Sequence, residues 1–112
     1  MTAKGRFTVE LSRGAESDLD SIWNYLAQNA SKQVAEQFLE SILDRAAKLE
    51  RYPFRGSIPW ELEGLDAGEV RQISLNPYRI IYLIEERVVA IIVIADGRRD
   101  IRTLLEQRIA SR

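Results

Sequence analysis

The chain has 112 residues, 46% of them hydrophobic, and a net charge of −1. That is the size and balance of a single globular domain, residues 1–112, whose core needs no metal or disulfide staple. It contains no cysteine and no histidine, which excludes disulfides, thiolate nucleophiles, imidazole bases and most catalytic zinc sites. The start, "MTAKGRFTVEL", lacks the long apolar segment of a signal peptide, and no run approaches the length of a membrane span. A cytoplasmic location without a membrane partner is expected.

"FTVEL", residues 7–11, alternates apolar and polar side chains as a half-buried strand does. Ser12 can cap a following helix, in which Ala15, Leu19, Ile22, Trp23 and Leu26 share one face. "NAS" at 29–31 breaks the pattern, and Ser31 can cap a second helix. Its face is marked by Ala35, Phe38, Leu39, Ile42, Ala46 and Leu49. So short a break predicts an antiparallel helical hairpin, ended by Pro53. Residues 53–69 carry prolines and glycines and read as a loop, with Trp60 expected to plug the core. The runs 70–75, 78–85 and 88–95 are joined by Asn76-Pro77 and Glu86-Arg87, connections too short for crossover helices. They predict a three-stranded antiparallel meander. The last run, apolar on both faces, is expected to be a covered central strand. A short C-terminal helix should turn Ile101, Leu104, Leu105 and Ile109 inward. The fold class is α+β, in the order strand, two helices, three strands and a short helix.

Walker loops, GxGxxG and paired metal-ligand helices are all missing. The carboxylates of "ESDLD" and "ELEGLDAGE" read as helix N-terminal charges and a solvated loop. The arginines stand out more. Residues 1–69 carry 8 basic and 12 acidic groups, whereas residues 70–112 carry 8 basic and 5 acidic groups, and those eight bases are all arginines. Arg71 should share a strand face with Ile73 and Leu75, and Arg79 with Ile81 and Leu83. Arg98 and Arg99 follow the last strand, so a meander places them beside Arg79 at one end of the sheet. Such a cluster requires either pairing with Asp96 and Asp100 or an anionic partner, for which guanidinium is well suited.

The succession Ala15, Asp18, Leu19, Ile22, Tyr25, then Ala35, Phe38, Ile42, then Leu49 to Gly56 with its "YP" step, resembles the RelE/ParE superfamily of bacterial type II toxins. "VR", "YRIIY" and "GRRD" complete the likeness, which spans about residues 7 to 100. The resemblance implies a small antiparallel sheet packed on a helical hairpin, no cofactor or metal, and a cognate antitoxin as partner. ParE-like members of such plasmid-stabilisation systems inhibit DNA gyrase, and this branch is favoured by "YP..G" and "YRIIY". RelE-like members cleave mRNA on the ribosome. On that alternative Arg71, Arg79, Arg98 and Tyr78 would be the catalytic set. Asp96 stands where many relatives carry histidine, and a sequence pI of about 5.5 is poorly suited to gripping mRNA. A third alternative is a toxin-derived protein that only binds its partner. Arg71, Arg79, Arg98 and Arg99 are the expected contacts to target or antitoxin.

Overall fold

The computed structural model describes residues 6–111. Strand β1 (Thr8–Leu11) leads into helices α1 (Arg13–Asn29) and α2 (Lys32–Leu49). Short 3-10 turns occupy Pro53–Arg55 and Trp60–Leu62 before the strands β2 (Glu69–Leu75), β3 (Tyr78–Glu85) and β4 (Val88–Asp96) and helix α3 (Ile101–Ala110). Both predicted N-caps form: the Ser12 and Ser31 hydroxyls accept from the backbone N–H groups of Ala15 and Val34. Each satisfies a donor that the first helical turn leaves without an internal partner.

The sheet order is β1-β4-β3-β2, with β1 parallel to β4 and the other pairs antiparallel. β4 is therefore central, as its two-sided hydrophobicity predicts. On one face Ala15, Phe38, Ile42 and Leu49 of the hairpin meet Ile80, Tyr82, Ile84, Val89, Ile91 and Ile94. On the other, Ile81, Leu83, Ile92 and Val93 meet Leu62, Ile101, Leu104 and Leu105. The arrangement is three layers deep, with hairpin, sheet, and a cover made of the 58–67 segment and α3.

Two expectations change. Trp60 is 76% exposed; Leu62 takes the place in the core, because the 3-10 turn points the tryptophan outward. The loop carboxylate Glu61, expected in solvent, is buried at 4% exposure.

β4 carries an irregularity opposite Ile81/Tyr82, where Val93 and Ile91 become the partners and Ile92 is the extra residue. β1 ends at the same level, opposite Ile91, so the edge of β4 needs other partners from there on. Asp18 accepts the Ile94 N–H at 2.9 Å and Arg108 donates to the Ile92 carbonyl at 2.7 Å. The two side chains also bind each other twice, at 2.8 and 2.9 Å. The pair ties α1, β4 and α3 together. Gly14 leaves room for it, since a Cβ there would meet the Arg108 side chain at 2.7 Å.

Phe38 is buried in the hairpin core, its ring 5.0 Å from that of Tyr78. Phe38→Ala is expected to cost about 3–5 kcal/mol in urea unfolding, the usual range for emptying a large aromatic site.

Candidate functional site: an arginine-tethered loop and an open tyrosine groove

The four arginines singled out in the sequence go to different places. Arg71 does share a face with Ile73 and Leu75, which pack towards the hairpin. Its guanidinium lies 2.8 Å from Glu69, donates to the carbonyls of Gly56 (2.9 Å) and Phe54 (3.3 Å), and sits 5.6 Å over the Phe54 ring. Arg79 projects to the opposite face with Ile81 and Leu83. There it grips Glu61 through two hydrogen bonds of 2.6 and 2.8 Å and donates to Gln72 at 2.6 Å. This fork-to-fork geometry is the strong form of a charge-assisted pair.

Arg98 turns back instead onto Asp96, with contacts of 3.1 and 3.0 Å, and its side chain is 91% exposed. Its own backbone N–H also donates to Asp96, at 2.9 Å. Asp100 does not pair with the arginines; it caps α3 through Thr103. The expected cluster of Arg79 with Arg98 and Arg99 therefore does not form. The stem of Arg79 runs close to Gly97, but its guanidinium is drawn to Glu61 on the far face. Glu61 lies in an irregular loop 18 residues before Arg79, and no periodicity connects the two.

Arg98 and Arg99 instead border an open groove of about 670 Å³ between α1 and the end of β4. Its walls include Tyr25, Tyr78, Ile22, Ile94, Asp18 and Asp96. Tyr25 is 63% exposed, whereas Tyr78 is half-buried against Phe38. Burial, reinforced by the negative charge of Asp96, pushes the Tyr78 hydroxyl above its ordinary range. The side-chain hydrogen bond from Arg98 holds Asp96 below the usual carboxylate range. The groove thus combines two tyrosine rings, an aliphatic floor and two arginines at its mouth. No cluster of metal-ligating side chains occurs among the described residues, and no helix there is long and apolar enough to cross a membrane.

The nuclease set is equally dispersed. Arg71 is registered with Tyr82, four residues along β3 from Tyr78, a separation of about 13 Å at strand rise. Arg79 is on the other face. A family model described as "ParE toxin of type II toxin-antitoxin system, parDE" matches residues 9–101.

The chain belongs to the ParE toxin family.

A solved structure described as the chromosomal ParDE TA system from P. aeruginosa contains a similar chain. The TM-score is 0.67 at 17% identity, covering 82% of this chain and 97% of the other; at that identity the likeness speaks for the fold. No curated protein matches the chain. Of the four arginines singled out in the sequence, those of β2 and β3 bind inside the molecule, and the pair after β4 faces outward into a groove.

Arg79→Ala would leave the Glu61 carboxylate buried and alone, and is expected to cost about 3–5 kcal/mol in urea unfolding. Arg79→Lys, which keeps the charge but loses the fork, should recover only part of this. Arg98→Ala should leave the unfolding midpoint unchanged, because its ion pair is solvent-exposed.

The Arg79 hydrogen bonds hold Glu61 below its ordinary value of 4.5, against the opposing effect of burial. A depressed folded-state value means the contribution is complete above 4.5 and is lost as pH falls through the lower folded value. Stability should therefore decline in that acid window. Glu61→Gln should remove this part of the slope, measured as unfolding midpoints against pH.

Proposed function

We propose that this chain is the toxin of a type II pair, that it inhibits DNA gyrase, and that a cognate antitoxin silences it. The family match supports the toxin reading. The observation favouring gyrase over mRNA cleavage is the dispersal of Arg71, Arg79, Arg98 and Tyr78. Two of the three guanidinium groups are engaged inside the molecule. A phosphoryl-transfer site requires its cations and its acid/base to converge on one reacting atom, and these do not.

The groove of Tyr25, Tyr78, Arg98 and Arg99 fits the antitoxin. A disordered tail that folds on binding needs a concave, partly apolar surface, and its acidic residues need cations at the rim. Arg99 has no carboxylate partner among the described residues, and Arg98 needs only to exchange Asp96 for a new acid.

Inducing the chain without its antitoxin, and following DNA and protein synthesis separately, tests the target. DNA synthesis should fall and cells should filament while translation at first continues. Early loss of translation with cleaved mRNA would instead establish the ribosome-dependent nuclease. Absence of growth arrest would leave a partner-binding protein without toxic activity. Replacing Arg98 and Arg99 together by alanine should weaken the antitoxin complex by about tenfold or more, measured by calorimetric titration.

A further inference from the structure

We propose that the segment 52–60 is the surface that docks on the toxin's target, and that the target offers a preformed apolar pocket rimmed by carboxylates. This rests on the toxin reading above, and it assigns a surface to the target that is separate from the antitoxin groove.

Four of the seven exposed large hydrophobic residues among the described residues fall within these nine positions: Tyr52, Phe54, Ile58 and Trp60. Single exposed apolar residues are ordinary, but several carried by one short, fixed loop are what an interaction surface requires. Ile58 and Trp60 are 63% and 76% exposed, and a connecting loop normally places polar residues there.

The backbone beneath them is pinned from both sides. Before Ile58, the Tyr82 hydroxyl donates to the Pro53 carbonyl at 2.7 Å and accepts the Gly56 N–H at 3.2 Å. Arg71 holds the carbonyls of Phe54 and Gly56, and Ser57 exchanges two backbone hydrogen bonds with Gln72, at 3.1 and 2.8 Å. Gly56 is required at this point, since a Cβ would overlap the Gln72 carbonyl and the Tyr82 hydroxyl. After Trp60, Arg79 holds the Glu61 carboxylate, and Arg102 donates to the carbonyls of Glu61 and Glu63. Three arginines and a buried tyrosine thus fix a loop on which Phe54 rests edge-on against Phe7 and under Arg71, while Ile58 and Trp60 stand largely in solvent. Rigid presentation of exposed apolar groups lowers the ordering cost of binding.

The shape selects the kind of partner. A fixed, protruding tryptophan fits a pocket in a folded protein, whereas a disordered tail needs a groove to lie in. Charge selects further. Arg51 precedes the apolar residues and Arg55 lies among them, and neither has a carboxylate partner among the described residues. Arg55 also lines a polar cleft with Arg45, Lys48, Ser57 and Ser74 whose lining includes no carboxylate. The exposed Asp44, 3.3 Å from Lys48 and 3.8 Å from Arg45, offsets only part of this charge.

The test compares wild type, Trp60→Ala, the double variant Ile58→Ser with Trp60→Ala, and Arg55→Glu. Four measurements are made: growth arrest, inhibition of supercoiling by purified gyrase, antitoxin affinity and thermal midpoint. Trp60→Ala is expected to weaken target inhibition by about 30-fold, as loss of a central tryptophan does. Arg55→Glu should weaken it by about tenfold or more. Antitoxin affinity should stay within about twofold, and thermal midpoints should be unchanged.

A double variant as toxic as wild type overturns the proposal. So does a loss of antitoxin affinity that parallels the loss of toxicity, which would give the patch to the antitoxin. A wild-type dimer that Trp60→Ala converts to monomer would give it to a second copy. Retention of a short DNA duplex that depends on Trp60 would give it to nucleic acid. If wild type arrests growth without inhibiting gyrase, the gyrase reading fails, and the variants still report on docking through growth arrest. If wild type does neither, both fail.

Discussion

The Arg79–Glu61 pair is the contact on which much of the remaining architecture depends. A bidentate ion pair with the carboxylate 4% exposed is costly to desolvate, and apolar replacements of similar volume often match it in stability. Its value here lies in geometry. It places the backbone of residues 61–63 over the sheet, so that Leu62 enters the core beside Ile81, Ile101 and Leu105. Arg102 can then hold the same turn from α3. Apolar contacts alone would tolerate sliding of this loop, whereas a planar fork on a carboxylate accepts one orientation.

A second ion pair solves a different problem. β1 is only four residues long and cannot cover the whole edge of a nine-residue β4. Where its pairing stops, β4 bulges, and a buried edge would be left with unsatisfied backbone groups. Asp18 and Arg108 supply an acceptor and a donor there. They come from helices on opposite faces of the sheet, so one interaction both completes the edge and joins the layers. The acidic residue that the sequence offers as a helix N-terminal charge is thus structural.

The fold was largely legible because its signals are local and periodic. The Ser12 and Ser31 caps, the helical faces of Ala15 and Phe38, and the short turns at Asn76-Pro77 and Glu86-Arg87 each fix their own segment. The parity of the strands also placed Arg71 and Arg79 on the correct faces. Those same face assignments already separate the two residues, yet strand order alone suggested that Arg79 would join Arg98 and Arg99. The missing information was the position of Glu61, which depends on how an aperiodic loop crosses the edge of β2. Trp60 was misplaced for the same reason: in a 3-10 turn three residues long, shifting one position exchanges core for solvent. Arg108 and Asp18 lie 90 residues apart, and only the bulge in β4 gives them a shared purpose.

The arginines divide into two groups, one engaged within the molecule and one open to exchange, and the proposed target and antitoxin surfaces follow that division. Arg71, Arg79 and Arg102 hydrogen-bond to the loop from beneath, so their guanidinium groups are engaged before any partner arrives. Arg98 and Arg99 lie beyond the end of β4, where exchanging one carboxylate for another costs little because the site is already in water. A groove with exchangeable charges suits a partner that must bind and later be removed. A rigid knob suits a partner whose own shape is fixed. β3 connects the groove and the loop: Tyr78 lines the groove, while Tyr82, four residues further on, anchors the loop. On the proposed assignment, an antitoxin filling the groove would not need to touch the loop to act on it. On that assignment, bulk placed beside Tyr78 would block the approach of a large target to the proposed docking loop, and steric exclusion of that kind requires no change in the shape of the toxin.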